Sequence, residues 1–134
     1  MKKYLLDTNI CIYFLKGQYK LDMLLEQAGA KNFFISEVTV AELKFGAENS
    51  QQVDRNRKVV EDFINSFTII PIFSALDVYA KEKARLRKNG IPLDDFDLLI
   101  GATAIANDLI LVSRNVSDFN RIEKIRVENW IEST

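Results

Sequence analysis

The chain contains no histidine and only one cysteine, Cys11. Without histidine, the commonest general base near neutral pH and the commonest transition-metal ligand are both missing, so any catalysis must lean on other groups. A single thiol excludes an internal disulfide and a multi-cysteine zinc site, and it suits a reducing compartment; the cytoplasm is the expected location. A long hydrophobic run is also lacking. The apolar stretch after Met1-Lys2-Lys3 is interrupted by Asp7, too early for a signal peptide or a membrane span, so a soluble protein without a membrane partner is expected. Excess charge of one sign is absent too: the net charge is -1 with 28% charged residues, which excludes a strongly basic polyanion binder and an acidic disordered tail. Affinity for a nucleic acid would have to come from local patches. What the chain does have is 48% hydrophobic content over 134 residues, enough to bury a core of its own, and one domain over 1–134 is expected.

Short apolar runs alternate with helical patterns. Tyr4-Leu5-Leu6, Phe33-Phe34-Ile35, Thr68 to Ile72 and Leu109 to Val112 read as strands, with Arg126-Val127 as a short fifth. Between them, Ile10 to Lys16, Lys20 to Ala30, Glu37 to Glu48, Gln51 to Ser66, Ser74 to Asn89 and Asp94 to Asn107 read as helices. Ser36 caps the third helix, Gly29 and Gly90 stop the second and fifth, and Val59, Val60, Phe63 and Ile64 form a stripe on the fourth. Strand and helix in alternation predict an α/β fold, a three-layer sandwich around a central parallel sheet of four to five short strands.

In open α/β sheets chemistry collects at the carboxyl ends of the strands, and acids stand there. Asp7 closes the first strand, Glu42 lies two helical turns past the second, and Asp118 follows the fourth; Asp97 opens the helix leading to the fourth. Each has a plain structural reading. Asp7 suits a turn or helix cap. Glu42 is either at the edge of its helix, reaching solvent, or on an inward stripe with Val38, Ala41 and Phe45, where an ionised carboxylate needs a cation or a metal. Asp94 and Asp97 have the spacing of a capping box. That box explains one or two acids, but not why three of the four residues in Asp94-Asp95-Phe96-Asp97 are acidic, directly before the apolar run Leu98 to Ala106. A helix apolar on nearly every side is buried, so its first turn lies at the floor of a cleft, with Asp97 better placed than Asp94 or Asp95 to face it. Gly101 and Ala104 share the face of Asp97 and are small enough to let another backbone approach. Should Asp7, Glu42, Asp97 and Asp118 converge, their repulsion calls for a hard divalent cation, and Mg2+ or Mn2+ suits a donor set of oxygens alone.

Leu6-Asp7-Thr8-Asn9, Ala41-Glu42-Leu43 with Gly46, Asp97 to Ala102, Val112-Ser113-Arg114-Asn115 with Asp118-Phe119, and the closing Arg126 to Trp130 stand in an order and spacing that resembles the PIN domain, specifically VapC-type toxins. The resemblance implies a ribonuclease that uses Mg2+, with Mn2+ as a substitute, works as a homodimer, and is held inactive by a VapB-type antitoxin. It assigns Asp7, Glu42 and Asp97 to the acidic core, Asp7 and Asp97 to the metal, and Asp118 to a fourth, more variable position. Thr8, Ser113 and Asn115 would orient ligands or water. The implied reaction is hydrolysis of an RNA phosphodiester by a metal-activated water, with Asp97 or Asp118 as proton acceptor. Two departures stand out: Gly101 replaces a frequent alanine, and Asp94 and Asp95 replace residues that are often neutral. Basic residues must ring such a cleft; Arg114 is the best single phosphate contact, with Lys44 and Arg121 near site segments. Lys81, Lys83, Arg85, Arg87 and Lys88 read as a solvated helix face, and Tyr13 and Phe14 as core or dimer contacts.

Two other readings compete. A haloacid-dehalogenase-like phosphatase also places an aspartate after its first strand, but it wants a second acid two residues on, where this chain has Asn9. A non-catalytic interaction module would use its acids only as caps, with the helix from Gln51 to Ser66 as a docking face.

Overall fold

The computed structural model describes residues 2–131; Met1 and the last three positions of the expected 1–134 domain lie outside it. Strands β1 (Tyr4–Leu6), β2 (Phe33–Ser36), β3 (Thr68–Ile70), β4 (Ile110–Val112) and β5 (Val127–Glu128) form one sheet in the order β3-β2-β1-β4-β5. Every pairing is parallel. The upper strand count expected from sequence is the one found.

Alternation along the strands divides the core. Leu6, Ile35 and Val112 point to a face covered by α1 (Thr8–Leu15), α2 (Leu21–Ala28), α3 (Glu37–Glu48) and α4 (Val53–Ile64). Leu5 and Leu111 point to the other, covered by α5 (Leu76–Lys88), α6 (Asp95–Ala106) and the short α7 (Val116–Phe119). These are the three layers. Because β1 is followed outward by β2 and β3 on one side while β4 and β5 lie on the other, the direction of winding reverses between β1 and β4. A crevice opens at the carboxyl ends of strands at such a point.

Element boundaries follow local chemistry. Asp7 and Ser36 cap α1 and α3: the Ile10 N–H donates to Asp7 Oδ1 at 2.9 Å and the Thr39 N–H to Ser36 Oγ at 3.1 Å. The third strand stops at Ile70, short of the expected Ile72, because Pro71 has no N–H for the ladder and the Ile72 N–H turns to Glu37 Oε1, 2.9 Å away. The expected helix from Ser74 is a 3₁₀ turn, Phe73–Ala75, followed by α5. After β4 the chain forms a short helix, α7, over Val116–Phe119.

Gly90 ends α5 with φ at +69° and open space where a Cβ would stand. Gly90→Ala therefore isolates the cost of a left-handed backbone from any clash. A loss of about 1 kcal/mol is expected in denaturant unfolding, with an unchanged m-value.

Candidate active site

Asp7 and Ser113 follow the neighbouring strands β1 and β4, tied together where the Asp7 N–H donates to the Val112 carbonyl at 3.1 Å. Asp7 is buried, 5% exposed. Burial pushes its carboxyl above the usual aspartate range, and the charge of Glu42 adds to that, while hydrogen bonds from Ser113 and the Ile10 N–H pull the other way. One oxygen serves the helix cap, so the sequence's two readings of Asp7, cap and site residue, are compatible.

Glu42 reaches the same place from α3, by a different route than its expected stripe. Ala41 and Phe45 are exposed, Phe45 by 67%, and the inward face of α3 is Val38, Thr39, Leu43 and Ala47. Glu42 is half-buried at the edge of that face, where Thr8 Oγ1 donates to its Oε1 at 2.7 Å. Thr8 Oγ1 also lies 3.1 Å from Thr39 Oγ1, which in turn is 3.4 Å from Ser36 Oγ. This hydroxyl chain crosses from α1 to α3 and fixes Glu42 relative to Asp7. Thr39 went unread in the sequence, although its place three residues before Glu42 puts both on one side of the helix.

Asp97 stands in the first turn of α6. Asp94 caps that helix, its Oδ2 accepting from the Phe96 N–H at 3.1 Å, and Asp95 turns outward to Lys83 at 2.9 Å and to the Tyr79 hydroxyl at 3.0 Å. Asp97 is left half-buried and, among the described residues, with neither a hydrogen-bond donor nor a cation on its carboxylate. Its pKa is pushed up to about 6, first by desolvation and then by the negative charges of Asp94, Asp7, Glu42 and Asp118. The negative charges of Asp7, Glu42 and Asp118 thus reach Asp97 strongly enough to add to its burial.

Asp118, on α7, is the most committed of them. Asn115 Nδ2 donates to its Oδ2 at 2.8 Å, and Arg121 Nη2 lies 3.1 Å from its Oδ1. Arg121 also donates to the Pro92 carbonyl at 3.2 Å, so it joins α7 to the loop ahead of α6. Ser113 is buried and accepts from the Asn115 N–H at 3.0 Å. Arg114 between them turns aside to Tyr13 and Tyr19, bonding the Tyr19 hydroxyl at 3.3 Å.

Gly101 lies deeper along α6. A Cβ there would strike Ile122 Cδ1 and crowd Ile125, so its small size admits side chains of the 119–125 segment, where close approach by a backbone was expected. Two of the five basic residues of α5 belong to structural pairs, Lys83 with Asp95 and Arg85 with Glu82 and Glu123.

Only oxygen donors line this cleft, the chemistry of a hard divalent ion. Among the described residues no three His, Cys, Asp or Glu side chains are gathered as an ion-holding group. The acids interact through their charges, without a preformed cage.

The PIN domain family profile matches residues 4–125. The chain belongs to the PIN-domain family. Among its relatives, ribonuclease VapC2 of Haemophilus influenzae is 41% identical, the match covering 98% of this chain and 100% of the relative. The tRNA(fMet)-specific endonuclease VapC of Shigella flexneri is 34% identical over 97% of this chain and 99% of its own. Among solved structures, the DNA-bound VapBC complex of Salmonella typhimurium contains a chain that superposes with a TM-score of 0.91 at 32% identity, covering 97% of this chain and 99% of that one. This PIN-domain protein thus falls with the VapC ribonucleases, over nearly all of its length. No helix among its described residues is long and apolar enough to cross a membrane.

Proposed function

We propose that the acidic cleft between β1 and β4 is the catalytic centre of an endoribonuclease, the toxin of a toxin-antitoxin pair, in which Asp7 and Asp97 hold a divalent metal ion, Mg2+ with Mn2+ as a substitute. Glu42 and Asp118 complete the negative set. The observation that carries this reading is Asp97, a half-buried carboxylate with no cation beside it, whose pKa is raised to about 6 by burial and then by the charges of four neighbouring acids. Repulsion of that kind destabilises a fold unless a cation compensates it in the working state. When bound, the ion supplies the charge that offsets charge building on the phosphodiester in hydrolysis.

The chain's own residues do the rest. Thr8 and Thr39 keep Glu42 aimed, Ser113 steadies Asp7, and Asn115 with Arg121 steadies Asp118. Arg114 is the phosphate contact at the rim. The VapC chains of the similar structures are seen in VapBC complexes; a VapB-type antitoxin is the regulating partner proposed here, with a homodimer as the working assembly.

The helix-cap role of Asp7 is satisfied without any metal, so the interaction-module reading is tested by the ion alone. Purified protein is incubated with a mixed transfer-RNA and messenger-RNA pool, with Mg2+, with Mn2+ and with chelator, alongside Asp7→Asn, which retains an oxygen for the cap. Cutting is expected only with metal and only in the wild type. Chelator-resistant cutting, or equal cutting by Asp7→Asn, overturns the assignment.

A further inference from the structure

A cavity that is open to solvent lies within reach of the acidic cleft by way of Arg114 and Tyr19. Its volume is about 940 Å³, and Tyr19, Lys20, Gln27, Asn129 and Trp130 are among the residues lining it. The connection to the cleft is short. Ser113, the hydrogen-bond partner of Asp7, is followed by Arg114, whose guanidinium lies 5.8 Å from the centre of the Tyr19 ring and bonds its hydroxyl.

The lining has the parts that a nucleotide needs. Tyr19 is 43% exposed although aromatic, and its ring is held edge-on to Tyr13 with centroids 5.2 Å apart. Consecutive left-handed backbone angles, φ of 60° at Tyr19 and 55° at Lys20, keep it there. Such angles in non-glycine residues cost energy and persist where the surroundings enforce a particular presentation. Lys20 and Arg114 bring positive charge to a rim whose neighbour is strongly acidic. The amide of Gln27 is free on both its donor and acceptor sides among the described residues, whereas the Asn129 oxygen accepts from the Ile131 N–H at 2.9 Å and leaves its donor side open. Trp130 closes the cavity, fixed by a bond from its indole N–H to Glu128 Oε1 at 3.0 Å and by edge contacts with Tyr4 and Phe33.

We infer that this cavity is a nucleotide subsite, in which one unpaired base of the RNA lies against Tyr19, its phosphate is held by Lys20 and Arg114, and Gln27 reads its edge. The inference rests on the RNA-cleaving reading of the neighbouring cleft and adds to it where the strand is gripped. Single-stranded RNA is recognised in this manner, by stacking on aromatic rings and by hydrogen bonds to exposed base edges. A free amide pairs best with adenine, which offers a donor and an acceptor side by side.

Trp130 is the only tryptophan in the chain and serves as the reporter. Adenosine, cytidine, guanosine and uridine 5′-monophosphates, which contain no internucleotide bond to cut, are titrated against the wild-type protein while Trp130 fluorescence is followed. A saturable change is expected, tightest for the adenosine nucleotide. Tyr19→Ala is expected to weaken it about tenfold, the usual worth of one stacked base, whereas Tyr19→Phe keeps the ring and retains most of the binding. On cleavable RNA, Tyr19→Ala raises KM with little change in kcat. A silent Trp130, or equal nucleotide affinity in wild type and Tyr19→Ala, overturns the subsite even if the protein cuts RNA. A saturable, Tyr19-dependent response in a protein that cuts no RNA upholds the subsite and overturns the catalytic reading alone.

Discussion

Asp97→Asn is expected to abolish metal-dependent RNA cleavage, by about a hundredfold or more, and at the same time to raise the melting temperature of the metal-free protein at pH 7.5. The rate loss follows from removing a direct charge toward the ion, since even residues that only support metal ligands cost 10- to 100-fold when changed. The stability gain follows from Asp97's raised pKa. An aspartate free in the unfolded chain ionises near 3.8, but in the folded protein this one ionises only near 6. The folded state holds a proton that the unfolded chain has released, so its stabilising contribution is full below pH 3.8 and is lost as pH rises through 6. Asparagine stays neutral throughout. The position is half exposed, and solvent screening reduces the effect to on the order of 1 kcal/mol. The favourable interaction of an acid with the first turn of α6 is smaller and is already contained in the net shift. Melting curves of both proteins with chelator at pH 5 and pH 7.5 check this: the gap is widest at the higher pH and narrows at the lower. A mutant that is less stable at pH 7.5 contradicts the account.

The largest stability loss is expected away from the cleft, at Glu82. Its side chain is 10% exposed, both oxygens accept from Arg85 at 2.9 Å, and Oε1 also accepts from the Glu123 N–H at 2.6 Å. Arg85 in turn donates to the Arg121 carbonyl at 2.6 Å. The pair latches α5 to the segment that carries Arg121 and buried Ile122. Glu82→Ala leaves the Glu123 N–H without a partner and lets the Arg85 guanidinium swing to water. A loss of about 2–3 kcal/mol is expected, or a fall of about 10 °C in melting temperature. Glu82→Gln keeps an acceptor for the Glu123 N–H and is expected to lose about half as much. Because Arg121 holds Asp118, the alanine variant is also expected to cut RNA more slowly than its folded fraction accounts for.

The sheet was legible because its strands are nearly pure apolar runs broken by capping residues, as at Leu6-Asp7 and Ile35-Ser36. The end of β3 and the start of α5 were not, since a proline's missing N–H and a 3₁₀ turn redirect the backbone within two residues. Among the acids, Asp97 could be separated from Asp94 and Asp95 by the apolar helix behind it. Of the two readings of Glu42, the fold uses the helix edge and not the stripe with Ala41 and Phe45; Phe45 looks inward by its hydrophobicity and is exposed. Arg121's tie to Asp118 and Pro92 and the latch at Glu82 depend on segments far apart in sequence, and no local pattern announces them.

The winding reversal between β1 and β4 also governs when the cleft can exist. Asp7 leaves the ribosome first, but Asp97 arrives only after three strands and five helices have been made, and Asp118 only after α6 and β4 as well. Loop closure over that span makes the site a late feature to assemble. A growing or truncated chain therefore holds every early segment of the nuclease with no acidic cleft, and whatever harm the finished protein can do to the RNA around it is deferred until synthesis is nearly complete.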